Sequence, residues 1–405
     1  MSEFPNIKWP KKRLDEVALI IAGQSPSSET YNTEGIGLPF FQGKAEFSEI
    51  HPIPVKWCSK PIRIAQPDDI LISVRAPVGD VNISNSQCCI GRGLAAIRYP
   101  VPKYLFFYLR LIKNLVAQEG TGSTFNAISV DVMKNLLIPF PSQSEQHRIV
   151  IKIEELFSEL DNGIANLEKA KEQLKVYRQS VLKWAFEGRL TNTDVKEGEL
   201  PEGWKWVKIK EVATTFSGFA FKSGDFKDKG AYQVIRMGNV RPGIIRYFES
   251  SVFVDDPDES ILKRSMLMLN DVIITQTGTR KKRDYGFTAL IKKSNLLLNQ
   301  RIAAMRFNDG YLPSFFLYFS WTNVFKDQFF ENETGNVGQG NVGMKAVTES
   351  LIPFCSLSEQ QRIVQEIESR FSLADKMEQT IDESLLQAEA LRQSILKSAF
   401  EGRLV

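Results

Sequence analysis

The segment Thr275-Gln276-Thr277-Gly278-Thr279-Arg280-Lys281-Lys282-Arg283-Asp284-Tyr285 gathers side chains that bind nucleic acid. It follows an apolar, β-like run and sets four consecutive cations among Gln, Thr and Tyr. A guanidinium donates two parallel hydrogen bonds to guanine O6 and N7, and a carboxamide pairs in the same bidentate way with adenine N6 and N7. Lysine and threonine more often serve phosphate oxygens. On this chemistry Gln276, Thr277, Thr279, Arg280, Lys281, Lys282, Arg283 and Tyr285 are candidate DNA contacts. The competing reading is a solvated charged loop.

A less basic set lies upstream. Ser73-Val74-Arg75-Ala76-Pro77-Val78-Gly79 occupies the matching place after an earlier β-like run. Ser73 and Arg75 join Gln42, Lys44 and Arg92 as candidates, with Ser123 and Thr124 of Gly120-Thr121-Gly122-Ser123-Thr124, whose exposed amides suit phosphate. Gln339 and Asn341, in Asn336-Val337-Gly338-Gln339-Gly340-Asn341, hold the equivalent downstream place. For these sites ordinary turn chemistry is the alternative. Lys11-Lys12-Arg13 reads as surface charge where a strand begins.

No catalytic residues are expected. The chain has no G-x-x-x-x-G-K-[ST] loop and no G-x-G-x-x-G after a strand. It lacks the Asn/Asp-Pro-Pro-aromatic tetrad of amino-methyltransferases and the carboxylate pair with Glu-x-Lys of a metal nuclease. Cys58, Cys88, Cys89 and Cys355 show no C-x-x-C spacing and have only His51 and His147 to assist, so no metal site is expected. The counterpart of His147 in the repeat described next is Gln361, so His147 reads as a helix-surface residue. The residues point to binding rather than reaction.

The elements that must position these side chains are announced by a repeat. Residues 144–190 return at 358–404 without a gap, with 23 of 47 positions identical. Ser144-Glu145-Gln146 returns as Ser358-Glu359-Gln360, and Phe186-Glu187-Gly188-Arg189-Leu190 as Phe400-Glu401-Gly402-Arg403-Leu404. A heptad seam runs from Ile149 through Ile153, Leu156, Leu160, Gly163, Leu167, Ala170, Leu174, Tyr177 and Val181 to Trp184. The second copy places Arg370, Ser384 and Ser398 where the first has Leu156, Ala170 and Trp184, so the two helix surfaces are expected to differ slightly. Ser142-x-x-Glu145 and Ser356-x-x-Glu359 are capping boxes, and Gly188 and Gly402 stand at helix C-termini. A helix from about 143 to 187 would be roughly 65 Å long at about 1.5 Å per residue. Chain order then requires the second helix to run back antiparallel to the first, relating the two divergent regions by a pseudo-twofold axis.

Those divergent regions share anchors. Asp69-Ile70-Leu71-Ile72-Ser73 parallels Asp271-Val272-Ile273-Ile274-Thr275, and Ala95-Ala96-Ile97-Arg98 parallels Ala303-Ala304-Met305-Arg306. Each reads as α+β on a curved or barrel-like sheet, with one aromatic helical stretch (104–116 and 314–330). The expected organisation is a first globular domain over 1–141, a first long helix over 142–190, a second globular domain over 191–355 and a second long helix over 356–405. At 405 residues the chain can bury two cores. No apolar run approaches a membrane span, and Met1-Ser2-Glu3-Phe4-Pro5 lacks a secretory pattern, so a cytoplasmic chain with reduced thiols and no membrane partner is expected. Residues 1–140 hold 15 Lys/Arg against 12 Asp/Glu, and 191–354 hold 22 against 19. The repeats balance (8 and 8 over 141–190) or are acidic (6 and 9 over 355–405), so the cationic excess sits in the divergent regions, as a bound polyanion requires.

Two divergent domains alternating with two near-identical helices resemble the specificity subunits of type I restriction–modification enzymes. The resemblance covers essentially the whole chain and is carried by the Glu-Gln-x-Arg-Ile helix starts, the two Phe-Glu-Gly-Arg-Leu ends and openings such as Leu200-Pro201-Glu202-Gly203-Trp204. It implies two target-recognition domains, each reading one half of a gapped site in double-stranded DNA. It also implies a helix pair that sets their spacing and docks two methyltransferase subunits, with Glu145, Arg148, Phe186, Arg189, Glu359, Arg362, Phe400 and Arg403 as docking candidates. No cofactor is then expected on this chain: S-adenosylmethionine belongs to the methyltransferase partner, and ATP and Mg to two restriction/translocase subunits. The alternatives are a stand-alone sequence-specific DNA-binding regulator and a structural coiled-coil protein.

Overall fold

The computed structural model describes residues 8–118, 127–192, 194–195, 200–331, 333–336 and 338–405. Two compact units form, one of residues 1–169 with 381–405 and the other of residues 170–380.

In the first unit, strands Leu19–Ala22, Leu94–Arg98, Ile70–Ser73 and Val81–Ile83 pair in that order, all antiparallel. Ile70–Ser73 and Leu94–Ile97 are buried throughout, as near-continuous apolar strands must be. A second sheet orders Tyr31–Asn32, Trp57–Cys58, Leu38–Phe41, Cys88–Ile90 and Ile64–Ala65, with one parallel pairing between Leu38–Phe41 and Cys88–Ile90. Lys11–Arg13 pairs with Leu137–Pro139, closing the start of the region onto its end. The helix Pro102–Leu111 buries Tyr104 through Leu109.

The second unit repeats the plan. Its main sheet orders Ala213–Ser217, Ile302–Phe307, Val272–Thr275 and Thr288–Leu290. Its second sheet again contains one parallel pair, Tyr232–Ile235 with Leu296–Leu298. Lys205–Lys208 pairs with Leu351–Phe354. The expected curved or barrel-like sheet is divided in each unit into several small sheets of two to five strands, three in the first unit and five in the second among the described residues.

Each main sheet carries one ion pair on a buried carboxylate, with its arginine partly exposed. Asp69 and Asp271 are each 1% exposed. Arg98 grips Asp69 through Nε and Nη2 at 2.8 and 2.9 Å, and Arg306 grips Asp271 at 2.8 and 2.7 Å. The carboxylates also accept the backbone N–H groups of Gln66 and Met268, both at 2.8 Å. A buried charge is tolerated when paired and hydrogen-bonded in this way.

The repeats are helices of 44 residues, Gln143–Phe186 and Leu357–Phe400. In the first unit Ile149, Val150, Ile153 and Phe157 share a core with Ile395, Leu396, Ala399 and Phe400. In the second, Val181, Leu182, Ala185 and Phe186 share a core with Ile363, Val364 and Ile367. The start of one helix against the end of the other makes the pairing antiparallel within each unit. Arg392 pairs with Asp161, and Arg178 with Asp375 and Glu378 at 2.6 and 3.0 Å.

The heptad seam holds in part. Ile149, Ile153, Leu174, Val181, Ile363, Ile367, Ala374, Ile381, Ala388 and Ile395 are buried, whereas Gly163, Tyr177, Trp184, Met377 and Leu391 are exposed. An α-helix drifts about 20° per heptad from a 3.5-residue repeat. Towards the helix ends the buried face therefore rotates onto the unit's own sheet and aromatic helix, taking in Phe157, Leu182 and Phe186 instead.

The caps follow the sequence with one asymmetry. Ser142 Oγ accepts the Glu145 N–H at 3.3 Å, and Glu145 accepts the Ser142 N–H at 3.2 Å, completing the first capping box. The hydroxyl and amide of Ser142 hold the Glu145 carboxyl below its usual range. In the second copy Ser356 still caps Glu359 at 3.3 Å, but Glu359 accepts from Thr191 and from Arg362. At the C-termini Gly188 and Gly402 both have φ of 74°. The N–H groups of Arg189 and Arg403 reach back to Trp184 and Ser398 at 2.9 and 3.0 Å. This is the left-handed glycine stop that satisfies orphan carbonyls.

Candidate nucleic-acid interface

Backbone pairing sets a corresponding frame in the two units. The N–H groups of Gly23, Gln24 and Val74 bond to Leu94, Ile90 and Gly93, and those of Gly218, Phe219 and Gln276 bond to Ile302, Leu298 and Arg301. Three loops thus meet in each unit: one after the parallel strand, one after the buried central strand, and one leading into the longest strand.

In the first unit these loops line a recess of about 250 Å³ containing Ser25, Gln42, Lys44, Ser73, Arg75, Arg92 and Gly93. Residues as distant in sequence as Gln42 and Arg92 therefore come together as one polar, cationic cleft. Gln42, Lys44, Arg75 and Arg92 are exposed. Lys44 pairs with Asp80 at 3.1 Å, and Asp80 also holds Lys113 at 2.7 Å. Ser73 is only 1% exposed and donates to the Arg75 carbonyl at 2.9 Å, so it shapes the turn rather than facing a ligand. Ser123 and Thr124 lie outside the described residues.

In the second unit the recess is about 420 Å³ and is lined in part by Arg241, Thr277, Thr279, Asp284, Arg301 and Gln339. A neighbouring recess shares Arg241 and Arg301 and adds Arg236, Asn299 and Gln300. Thr279 and Gln339 meet across paired strands, Thr277–Thr279 with Gln339–Asn341. Asp284 accepts the Thr279 N–H at 2.6 Å and pins the start of the cationic loop.

Three second-unit candidates are structural. Gln276 is buried and donates to the Val342 carbonyl at 3.0 Å. Thr277 is buried and donates to Asn341 Oδ1 at 3.0 Å, which also occupies Asn341. Tyr285 is 2% exposed, and its hydroxyl donates to Glu333. Burial, reinforced by that carboxylate, raises the Tyr285 phenol, while the bond lowers the Glu333 carboxyl. Each polar group had to find a partner on burial, so these side chains shape the recess and its surroundings and offer a ligand no free polar group.

The cations divide similarly. Arg280 is tied to Glu333 at 3.0 Å, and Arg283 lies over the Phe330 ring at 4.8 Å. Lys281 and Lys282 are exposed, with no ion pair among the described residues. Arg236, Arg241 and Arg301 were not among the sequence candidates, because no cationic run marks them. The available signal was alignment: Asn299-Gln300-Arg301 precedes Ile302-Ala303-Ala304 as Gly91-Arg92-Gly93 precedes Leu94-Ala95-Ala96.

The docking candidates also separate. Phe400 is fully buried against Tyr104 and Tyr108, at 5.2 and 5.1 Å between ring centroids. Phe186 is 6% exposed and packs against Phe315 and Phe319 at 5.1 and 5.2 Å. Both anchor the unit's own core and offer nothing to a partner. Arg148, Arg362 and Arg403 are exposed, and Glu145, Arg189 and Glu359 are half-buried.

Among the described residues no cluster of three His, Cys, Asp or Glu side chains could hold a metal ion, and no helix is long and apolar enough to cross a membrane. The cysteines are free and buried; burial pushes Cys88 up to about 11, and Cys89 and Cys355 up to about 12.

Matching sheet scaffolds with cationic recesses, joined by two long helices, define a DNA-recognition protein with two readers. A model of the type I restriction modification DNA specificity domain matches residues 6–174 and 201–387, and the chain belongs to that family. It is 25% identical over 426 residues to the type I restriction enzyme EcoBI specificity subunit of Escherichia coli, covering 98% of this chain and 86% of that one. The MjaX specificity-subunit relative of Methanocaldococcus jannaschii is 42% identical over 175 residues, which span 42% of this chain and 40% of the relative. A solved chain from a study of type I R-M complex assembly and conformational transition superposes with a TM-score of 0.75 at 20% identity, covering 100% of both chains.

Proposed function

We propose that this chain is the sequence-recognition subunit of a type I restriction–modification complex, with each unit reading one half of a gapped DNA site. The observation that carries this is the recurrence of one three-loop recess on two equivalent sheets, with different residues in each. Equal scaffolds with unlike linings read unlike sequences. The long helices are the part repeated without a gap and with identical ends, which suits the docking of two copies of one methyltransferase partner. S-adenosylmethionine then resides on that partner, and ATP and Mg on two restriction/translocase subunits. This chain supplies binding, and the reaction is carried out by its partners.

Footprinting on genomic DNA fragments, with the chain alone and with its co-expressed methyltransferase, tests the reading. Two protected patches flanking an unprotected spacer are expected, strengthened by the methyltransferase. Tight protection of one continuous site by the chain alone supports a stand-alone regulator and contradicts the proposal.

A further inference from the structure

The second unit's recess contains one arginine whose backbone and side chain are both unusual. Arg301 has φ of 68°, in the left-handed region where a β-carbon crowds the backbone. Ser250 and Arg283 also have positive φ, of 47° and 46°, Arg283 with its guanidinium over the Phe330 ring, while Asp68, Asn270 and Asn295 are of types that tolerate the region through short polar side chains. Arginine has no such compensation. The corresponding position in the first unit is Gly93, where an added β-carbon would stand 2.1 Å from the Gln42 carbonyl oxygen. Gly93 is thus set by that close approach and not by a left-handed φ, so at Arg301 the cost lies in the backbone conformation itself.

The side chain is free as well. Arg236 donates to the Ser250 carbonyl, and Arg241 donates to those of Gly238 and Val240 at 3.0 and 2.9 Å. Arg280 and Arg246 are held by Glu333 and Glu249. The Arg301 guanidinium is exposed and has no hydrogen bond or ion pair among the described residues. It stands where both recesses of the second unit meet. The adjoining backbone is rigid, since the Arg301 carbonyl accepts the Gln276 N–H at 2.9 Å.

We infer that Arg301 is a specificity-determining residue, its guanidinium reading a guanine edge in the half-site bound by the second unit. Backbone strain at an exposed, unpaired cation is retained where the side chain has a task. A fixed backbone with an open fork matches bidentate pairing to guanine O6 and N7. The inference rests on the DNA-recognition reading above and sharpens it to one residue and one base.

Base-modification sequencing of host DNA carrying the wild-type chain, Arg301→Gly or Arg301→Lys, with thermal melting of each purified chain, tests it. Arg301→Gly should relax one G·C position in one half-site by about ten- to a hundredfold, leaving the other half-site unchanged. Its melting midpoint should stay level or rise, because glycine relieves the left-handed backbone. Arg301→Lys should lose the same discrimination while keeping the charge. An unchanged motif with Arg301→Gly, a lowered midpoint, or full discrimination by Arg301→Lys would each overturn the inference. The first leaves no reading role, the second makes the residue structural, and the third shows that a positive charge without the planar two-pronged guanidinium is enough for the discrimination. A wild-type chain giving no motif would instead contradict the DNA-recognition reading, and this inference with it.

Discussion

Lys281 and Lys282 differ from every other cation in their loop because nothing within the described protein holds them. An unpaired, exposed lysine beside a reading recess has the chemistry of a phosphate contact rather than a base contact. Replacing both with Ala should weaken DNA binding by a similar factor on all sequences. It should also reduce the slope of log K against log salt by about 0.9 for each phosphate no longer neutralised. Equilibrium binding from low to high salt measures this; an unchanged slope with altered sequence preference would contradict it. Sequence exposed the cationic run but not its division of labour. Gln276, Thr277 and Tyr285 looked like readers because their functional groups suit bases. Their burial against Val342, Asn341 and Glu333 depends on contacts with a segment 48 to 66 residues downstream. No local pattern carries that information.

Helix limits were legible because they are local: a serine cap and a left-handed glycine are chosen by the nearest few residues. The packing face was less so. A strict heptad predicted Tyr177 and Trp184 inside, and both lie exposed, since the helix end packs on its own unit. The terminal phenylalanines show the same effect. They looked like docking residues because they recur, yet they recur because each unit needs an aromatic plug between its helix end and its aromatic helix. Phe186→Ala and Phe400→Ala should each cost about 3–5 kcal/mol of stability, the range for truncating a buried aromatic side chain. Chemical denaturation measures this. Wild-type stability with weakened partner binding would return these residues to the docking surface.

For the whole molecule, duplication was the most legible property and the recess the least. The repeat, its helices and the shared Asp-Arg anchors were all readable by alignment, and the anchors proved to be the ion pairs Asp69–Arg98 and Asp271–Arg306, each on a buried carboxylate. The recess needed the fold, because its loops are separated by tens of residues and meet only through strand pairing. The charge division agrees: each divergent region is cationic by three, while the repeats are neutral or acidic. That is the distribution expected of readers that face a polyanion and helices that face something else. On the proposed function, one chain carries two DNA readers serving a methylating complex. The most direct test is base-modification sequencing of host DNA with the gene intact and deleted. Loss of N6-methyladenine from one gapped, two-part motif is the predicted result; an unchanged methylation pattern in a methylation-competent host would contradict it.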